Sequence, residues 1–174
     1  LSIVLAAPSM FIPFAHVSAA ARDIGIDAPS AVGLVGLIGI GSLVGGFMLG
    51  AVASRAPKGK LIIGAYIAFG LGAMAVGVVD SIPLVLGLFF GMGVANMAFV
   101  IPSQTLFQER TPPDLMGRVV SLRFALVFGG MSIAMALAGV AMTAVGAAPV
   151  IFAAGIVSVI AGVAGLFVRA VRDA

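Results

Sequence analysis

Only a handful of side chains in this 174-residue chain could bind a ligand or move a proton. The single histidine, His16, has an unperturbed pKa close to physiological pH, which suits it to proton exchange. It follows Pro13 and Phe14 in an apolar stretch. It reads either as a proton or solute site or as an interfacial histidine hydrogen-bonded to water. Asn96 lies deep in another apolar run, where its amide could bond a solute or a neighbouring helix. Ser103, Gln104 and Gln108 follow as gate or loop polar groups. Arg123 could coordinate an anion, or extend its head to the interface along an apolar stem, or pack in a gate. Met92, Met97, Met131 and Met135, with Phe124 and Phe128, would suit an adaptable apolar pocket, or serve as plain core.

No enzyme constellation accompanies these residues. The chain has no cysteine, which excludes disulfides, thiolate metal sites and thiol redox motifs. It has one histidine, no paired carboxylates inside an apolar run, and no phosphate-cradling Gly-x-x-x-x-Gly-Lys-Ser/Thr loop. Neither a metal nor a cofactor is expected, and without an ATP-binding motif any transport must be driven by gradients.

The elements that position these residues are set by composition. The chain is 62% hydrophobic and 9% charged, with a mean hydropathy of +1.29. A soluble domain carries about 25% charged residues, so this chain has too little polar surface to face water. The charges are bunched and leave apolar runs of about 20 residues, the length a helix needs to cross the hydrocarbon core. These runs are apolar all round, without the period-two alternation of a membrane barrel. The expectation is therefore an all-α membrane protein with six transmembrane helices, in one bundle over residues 1–174, with spans at about 1–20, 30–53, 61–79, 82–104, 119–145 and 149–168. Pro29, Pro83 and Pro149 sit where helices start. Thr111, Pro112, Pro113 and Asp114 have the form of a capping box before a short surface helix. Within 39–60, the glycine pairs Gly41 with Gly45 and Gly46 with Gly50 form a flat groove for a second helix. Gly87 and Gly91 likewise call for a helix partner. The chain opens at Leu1 inside an apolar run, without an initiator Met or basic n-region, and reads as a fragment of a longer protein rather than as a signal peptide.

Orientation follows from lysine and arginine. Arg55, Lys58, Lys60, Arg110, Arg118, Arg123, Arg169 and Arg172 fall at one end of the expected spans, and only Arg22 falls at the other. This asymmetry predicts that the basic loops and the C-terminus face the cytoplasm of a plasma (inner) membrane. It also explains the pI of about 10.2 without nucleic acid as a partner.

The segment Gly50-Ala51-Val52-Ala53-Ser54-Arg55-Ala56-Pro57-Lys58-Gly59-Lys60 resembles the loop signature G-x-L-x-D-R-x-G-R-R-K of the major facilitator superfamily, found between the second and third helices of each half. Gly50, Arg55, Lys58 and Lys60 match; Ser54 replaces the usual Asp and Pro57 the usual Gly. In that family the Asp interacts with an arginine and a neighbouring helix end to hold the cytoplasmic side shut. The resemblance makes Arg123 the counterpart of that arginine and Ser54 a weaker, neutral partner. The stretch Gln108 to Val119 is similar to drug-exporter members in their C-terminal half. Pro13 to His16, Ala21 to Ile26 and Gly36 to Ser42 are similar to bacterial monocarboxylate-type members. Gly46, however, stands where monocarboxylate members often have an arginine.

The resemblance implies the C-terminal six-helix half of a secondary transporter working by alternating access. Because the cavity candidates are uncharged, efflux of an apolar or amphipathic compound is the leading expectation. An organic-acid or monocarboxylate porter, and a non-transporting membrane subunit, are the alternatives. The solute-path candidates are His16, Asn96, Phe14 and Met92; the cytoplasmic gate candidates are Gly50, Ser54, Arg55, Lys58, Lys60 and Arg123. Expected partners are the lipid bilayer, a small-molecule solute, a coupling proton, and an upstream six-helix half of the same protein or a second copy.

Overall fold

The computed structural model describes residues 10, 12–13, 28–52, 57–79 and 81–168. Five long helices run through them: α1 (Ala28–Val52), α2 (Lys58–Val76), α3 (Ile82–Arg110), α4 (Met116–Val145) and α5 (Ala147–Phe167). The expected first span lies outside the described residues apart from Met10, Ile12 and Pro13, which are helical; Met10 packs into the core. α2, α3, α5 and the stretch Pro113–Val145 containing α4 are each long and apolar enough to cross a bilayer, and within α1 the apolar stretch is Gly36–Gly50.

The turns obey the local chemistry of the sequence. Pro83 sits in the first turn of α3, where its missing N–H costs nothing. Gly146, at φ 84°, both ends α4 and begins α5, a backbone conformation that a residue with a Cβ would adopt only under strain. α3 runs through the buried Pro102 and continues six residues beyond its expected end at Gln104, so the expected loop from Thr105 to Gly117 shrinks to a short connection around a 3-10 turn, Pro113–Leu115. The expected capping box does not form. The Thr111 hydroxyl instead donates back to the Phe107 carbonyl at 2.7 Å, and Thr111 closes α3 rather than opening the next turn.

In lipid, apolar surface alone does not drive helices together, and close backbone approach at small residues takes its place. Three such approaches order the helices α1, α3, α2, α5. α1 and α3 run parallel: a Cβ on Gly41 would collide with the Phe90 carbonyl, and one on Gly45 would stand 2.9 Å from the Val94 Cα. The Ser42 hydroxyl donates to the Gly93 carbonyl at 3.3 Å across the same contact. α3 and α2 run antiparallel, with Met92 against Gly72 and Phe99 edge-on to Tyr66 at 4.9 Å between ring centroids. α2 and α5 also run antiparallel and meet backbone to backbone at Gly70 and Gly155; Gly162 packs on Ile63, Tyr66 and Ile67, and Gly77 on Ala148. α2 is thus enclosed between α3 and α5, and its Phe69, Ala73 and Tyr66 form the centre of the core with Phe89, Met92 and Ile151. α4 touches α5 and the 3-10 turn only lightly and exposes Leu122, Leu126, Ile133, Leu137 and Val140. Of the two glycine pairs expected to form a groove on α1, Gly41 with Gly45 does so, while Gly46 and Gly50 meet no neighbouring helix among the described residues. Gly87 and Gly91 on α3 are likewise open.

Candidate functional site

Two polar features stand out within this packing: a lone amide in the middle of α3, and a guanidinium cluster at the basic end of the bundle.

α3 divides into two faces. Phe90, Gly93, Val94 and Met97 meet α1, and Met92 and Phe99 meet α2. Asn96, four residues after Met92 and three before Phe99, shares the second face by helical spacing. It is 7% exposed, and its Nδ2 has no hydrogen-bond partner among the described residues. Leaving a buried donor unmet costs about 1–3 kcal/mol. Hydroxyls in the spans find acceptors on their own helix: Ser158, which is fully buried, donates to the Ala154 carbonyl, the part-buried Thr105 to Ile101, and the exposed Ser132 to Phe128. Among the described residues, Asn96 is therefore the buried span residue with a side-chain donor left unanswered. Met92, one turn away, is buried in the same core rather than on an open face.

At the basic end, Arg123 projects from the second turn of α4 onto α3. Its Nη1 donates to Gln104 Oε1, its Nη2 to Ser103 Oγ at 3.3 Å, and its guanidinium carbon lies 4.8 Å from the centroid of the Phe107 ring. This is a cation–π contact reinforced by two neutral acceptors. No carboxylate pairs with Arg123 among the described residues. The nearby acid on α3, Glu109, is taken by Lys58 in an ion pair that ties the start of α2 to the end of α3. The α1 and α3 contacts share one register, residue 41 opposite 90 and residue 45 opposite 94, which carries the end of α1 at Val52 to about the level of Ile101, two residues before Ser103.

The structure thus brings Arg123 together with Ser103 and Gln104, and Lys58 with Glu109. Gly50 is exposed near the end of α1, and Lys60 is exposed in the first turn of α2. His16, Phe14, Ser54 and Arg55 lie outside the described residues. Phe124 and Phe128 stack on each other at 5.7 Å on the exposed side of α4, apart from the buried Met92. Sequence reasoning missed the Lys58–Glu109 pair, since nothing in residue spacing relates positions 51 apart on different helices. It also missed the Gly70–Gly155 contact.

A model of the Major Facilitator Superfamily matches residues 1–174. The chain belongs to this superfamily. It is accordingly an integral membrane protein of a secondary-transporter family, not an enzyme, and its solute is a small molecule. No curated protein and no solved structure matches it.

Proposed function

We propose that this superfamily member forms one six-helix half of an exporter that moves an apolar or amphipathic compound by alternating access, with a proton as the coupling ion. The observation that carries the reading is the neutrality of the bundle's middle. Among the described residues the charges of the spans gather at the basic end, and the one buried side-chain group without a partner is the uncharged amide of Asn96. A charged solute at the midplane would need a fixed counter-charge, because unpaired charge is costly there. Alternating access rocks two bundles about a site at their interface, and six spans supply one wall of it. The second bundle is an upstream half of the same polypeptide in this reading, and a second copy of the chain is the competing arrangement. His16 is the proton-exchanging candidate and Asn96 a solute contact. The basic end, with Lys58, Lys60, Arg118 and the C-terminus, faces the cytoplasm on the positive-inside argument.

A second reading, an organic-acid porter, is favoured by one observation: among the described residues Arg123 is a cation held by neutral partners. The two readings separate in everted vesicles carrying this half together with the upstream half, under an imposed pH gradient. Uptake of a neutral or amphipathic dye, and none of a radiolabelled monocarboxylate, is the expected result. Uptake of the carboxylate alone reverses the assignment. Flux through the six-helix chain as a monomer would refute the two-bundle mechanism.

A further inference from the structure

The unmet donor of Asn96 does not depend on any open face of the bundle. The residue is enclosed by this bundle's own packing, on the side of α3 that carries the buried Phe89, Met92 and Phe99 at helical spacing. Those three side chains are two rings and a thioether, and none is a strong acceptor. An amide nitrogen carries two N–H groups and accepts nothing, so what Asn96 Nδ2 lacks is a lone pair on oxygen or nitrogen. The backbone around it is held firmly, because α1 and α3 meet main chain to main chain at Gly41 and Gly45. Met92, one turn from Asn96, is the adaptable neighbour. It lies against Gly72 of α2, where an added Cβ would stand 2.9 Å from the Met92 Cγ. Three rotatable bonds let this unbranched side chain swing aside without moving either helix. A solute group can then reach the amide while both backbones stay in place.

We propose that Asn96 selects solutes that carry a hydrogen-bond acceptor, a carbonyl or ether oxygen on an otherwise apolar body, over equally apolar solutes without one. The inference rests on the reading of Asn96 as a solute contact and names the chemistry that this contact demands. An acceptor oxygen answers the buried donor, whereas a hydrocarbon of the same shape leaves it unpaired. A site built around a buried polar group discriminates against the analogue that leaves that group unmet. A protonated amine is rejected for the same reason, since an ammonium group has donors and no acceptor.

Two matched pairs of probes separate the oxygen from the body that bears it: fluorenone with fluorene, and benzophenone with diphenylmethane. Each is added to this half assembled with the upstream half in mixed detergent–lipid micelles, and the rise in unfolding midpoint reports its relative affinity. Meeting one buried donor corresponds to a preference of about tenfold for the ketone of a pair. That preference is expected in the unaltered protein and in Ser158→Ala, whose buried hydroxyl bonds to its own helix. It should shrink in Asn96→Gln, which keeps the amide and displaces it, and vanish in Asn96→Leu while the hydrocarbons bind at least as well as before. Equal affinities within both pairs in the unaltered protein overturn the proposal without recourse to any variant. So does a ketone preference that survives Asn96→Leu, or the absence of any shift with either ketone. The readout is binding, so it is separable from transport. A ketone preference without pH-driven dye flux sinks the exporter reading and keeps the selectivity. Dye flux with equal affinities sinks the selectivity alone.

Discussion

Replacing Gly70 by alanine tests whether backbone contact between α2 and α5 holds the bundle. The added Cβ would stand 2.6 Å from the Gly155 carbonyl oxygen and 2.8 Å from the Val159 backbone nitrogen. Both are main-chain atoms of a helix and cannot rotate away as the end of a side chain would. Ordinary contact begins near 3.4 Å, so the helices must part by about 0.8 Å. A gap of that size forfeits a quarter to a half of each dispersion contact along the seam, which includes Gly77 on Ala148 and Gly162 on Tyr66. Overpacking of this kind costs about 1–3 kcal/mol, and the upper half of that range is expected because backbone is the obstacle. Gly64→Ala, on the same helix with nothing near its added Cβ, is the control; alanine's helix propensity should leave it neutral or more stable by up to about 1 kcal/mol. Reversible unfolding in mixed detergent–lipid micelles would measure both. Gly155→Ala should match Gly70→Ala, and the double variant should cost less than the two together, because one separation relieves both clashes. Equal stabilities for Gly70→Ala and Gly64→Ala would refute the claim that this seam governs packing.

Asn96→Leu, which keeps the side chain's branched shape and removes its unmet donor, should leave the bundle as stable or stabilise it by about 1 kcal/mol in the same unfolding assay while lowering solute flux; a clear loss of stability would show that the amide joins two helices instead. The Lys58–Glu109 pair is partly exposed and should contribute no more than about 1 kcal/mol, fading with added salt. In a double-mutant cycle of Lys58→Ala and Glu109→Ala, a coupling well above that would mean the pair is more enclosed than the described helices make it. Ser54→Asp should introduce a carboxylate partner for Arg123 and strengthen closure of the basic side. A new charge-assisted hydrogen bond contributes about 1.5–3 kcal/mol. Thiol accessibility of the two sides should shift in Ser54→Asp and revert when Arg123→Ala is added, and no difference between the two variants would defeat the pairing.

Family, membrane insertion and helical class were legible in the residues alone, because they rest on quantities that need no tertiary contact. Too few charges to face water, apolar runs of bilayer length and a basic loop signature are properties of the chain itself. The helix starts at Pro29 and Pro83 were legible for the same reason, since proline's geometry is local. The end of α3 was not, because the helix continues past Gln104 through polar and charged residues to Arg110, where Glu109 pairs with Lys58 of another helix. Tertiary structure alone decided which glycines matter. Gly41 and Gly46 look alike in sequence, yet one lies against Phe90 and the other meets no neighbouring helix among the described residues, because a glycine stripe acts only where a second helix crosses it. It also decided the electrostatics of the basic end. Seven charges there are described, and their positions in sequence do not reveal that Glu109 is taken by Lys58 or that Arg123 lies against hydroxyl, amide and ring. Pairing is a matter of distances between helices, and only the folded arrangement sets those.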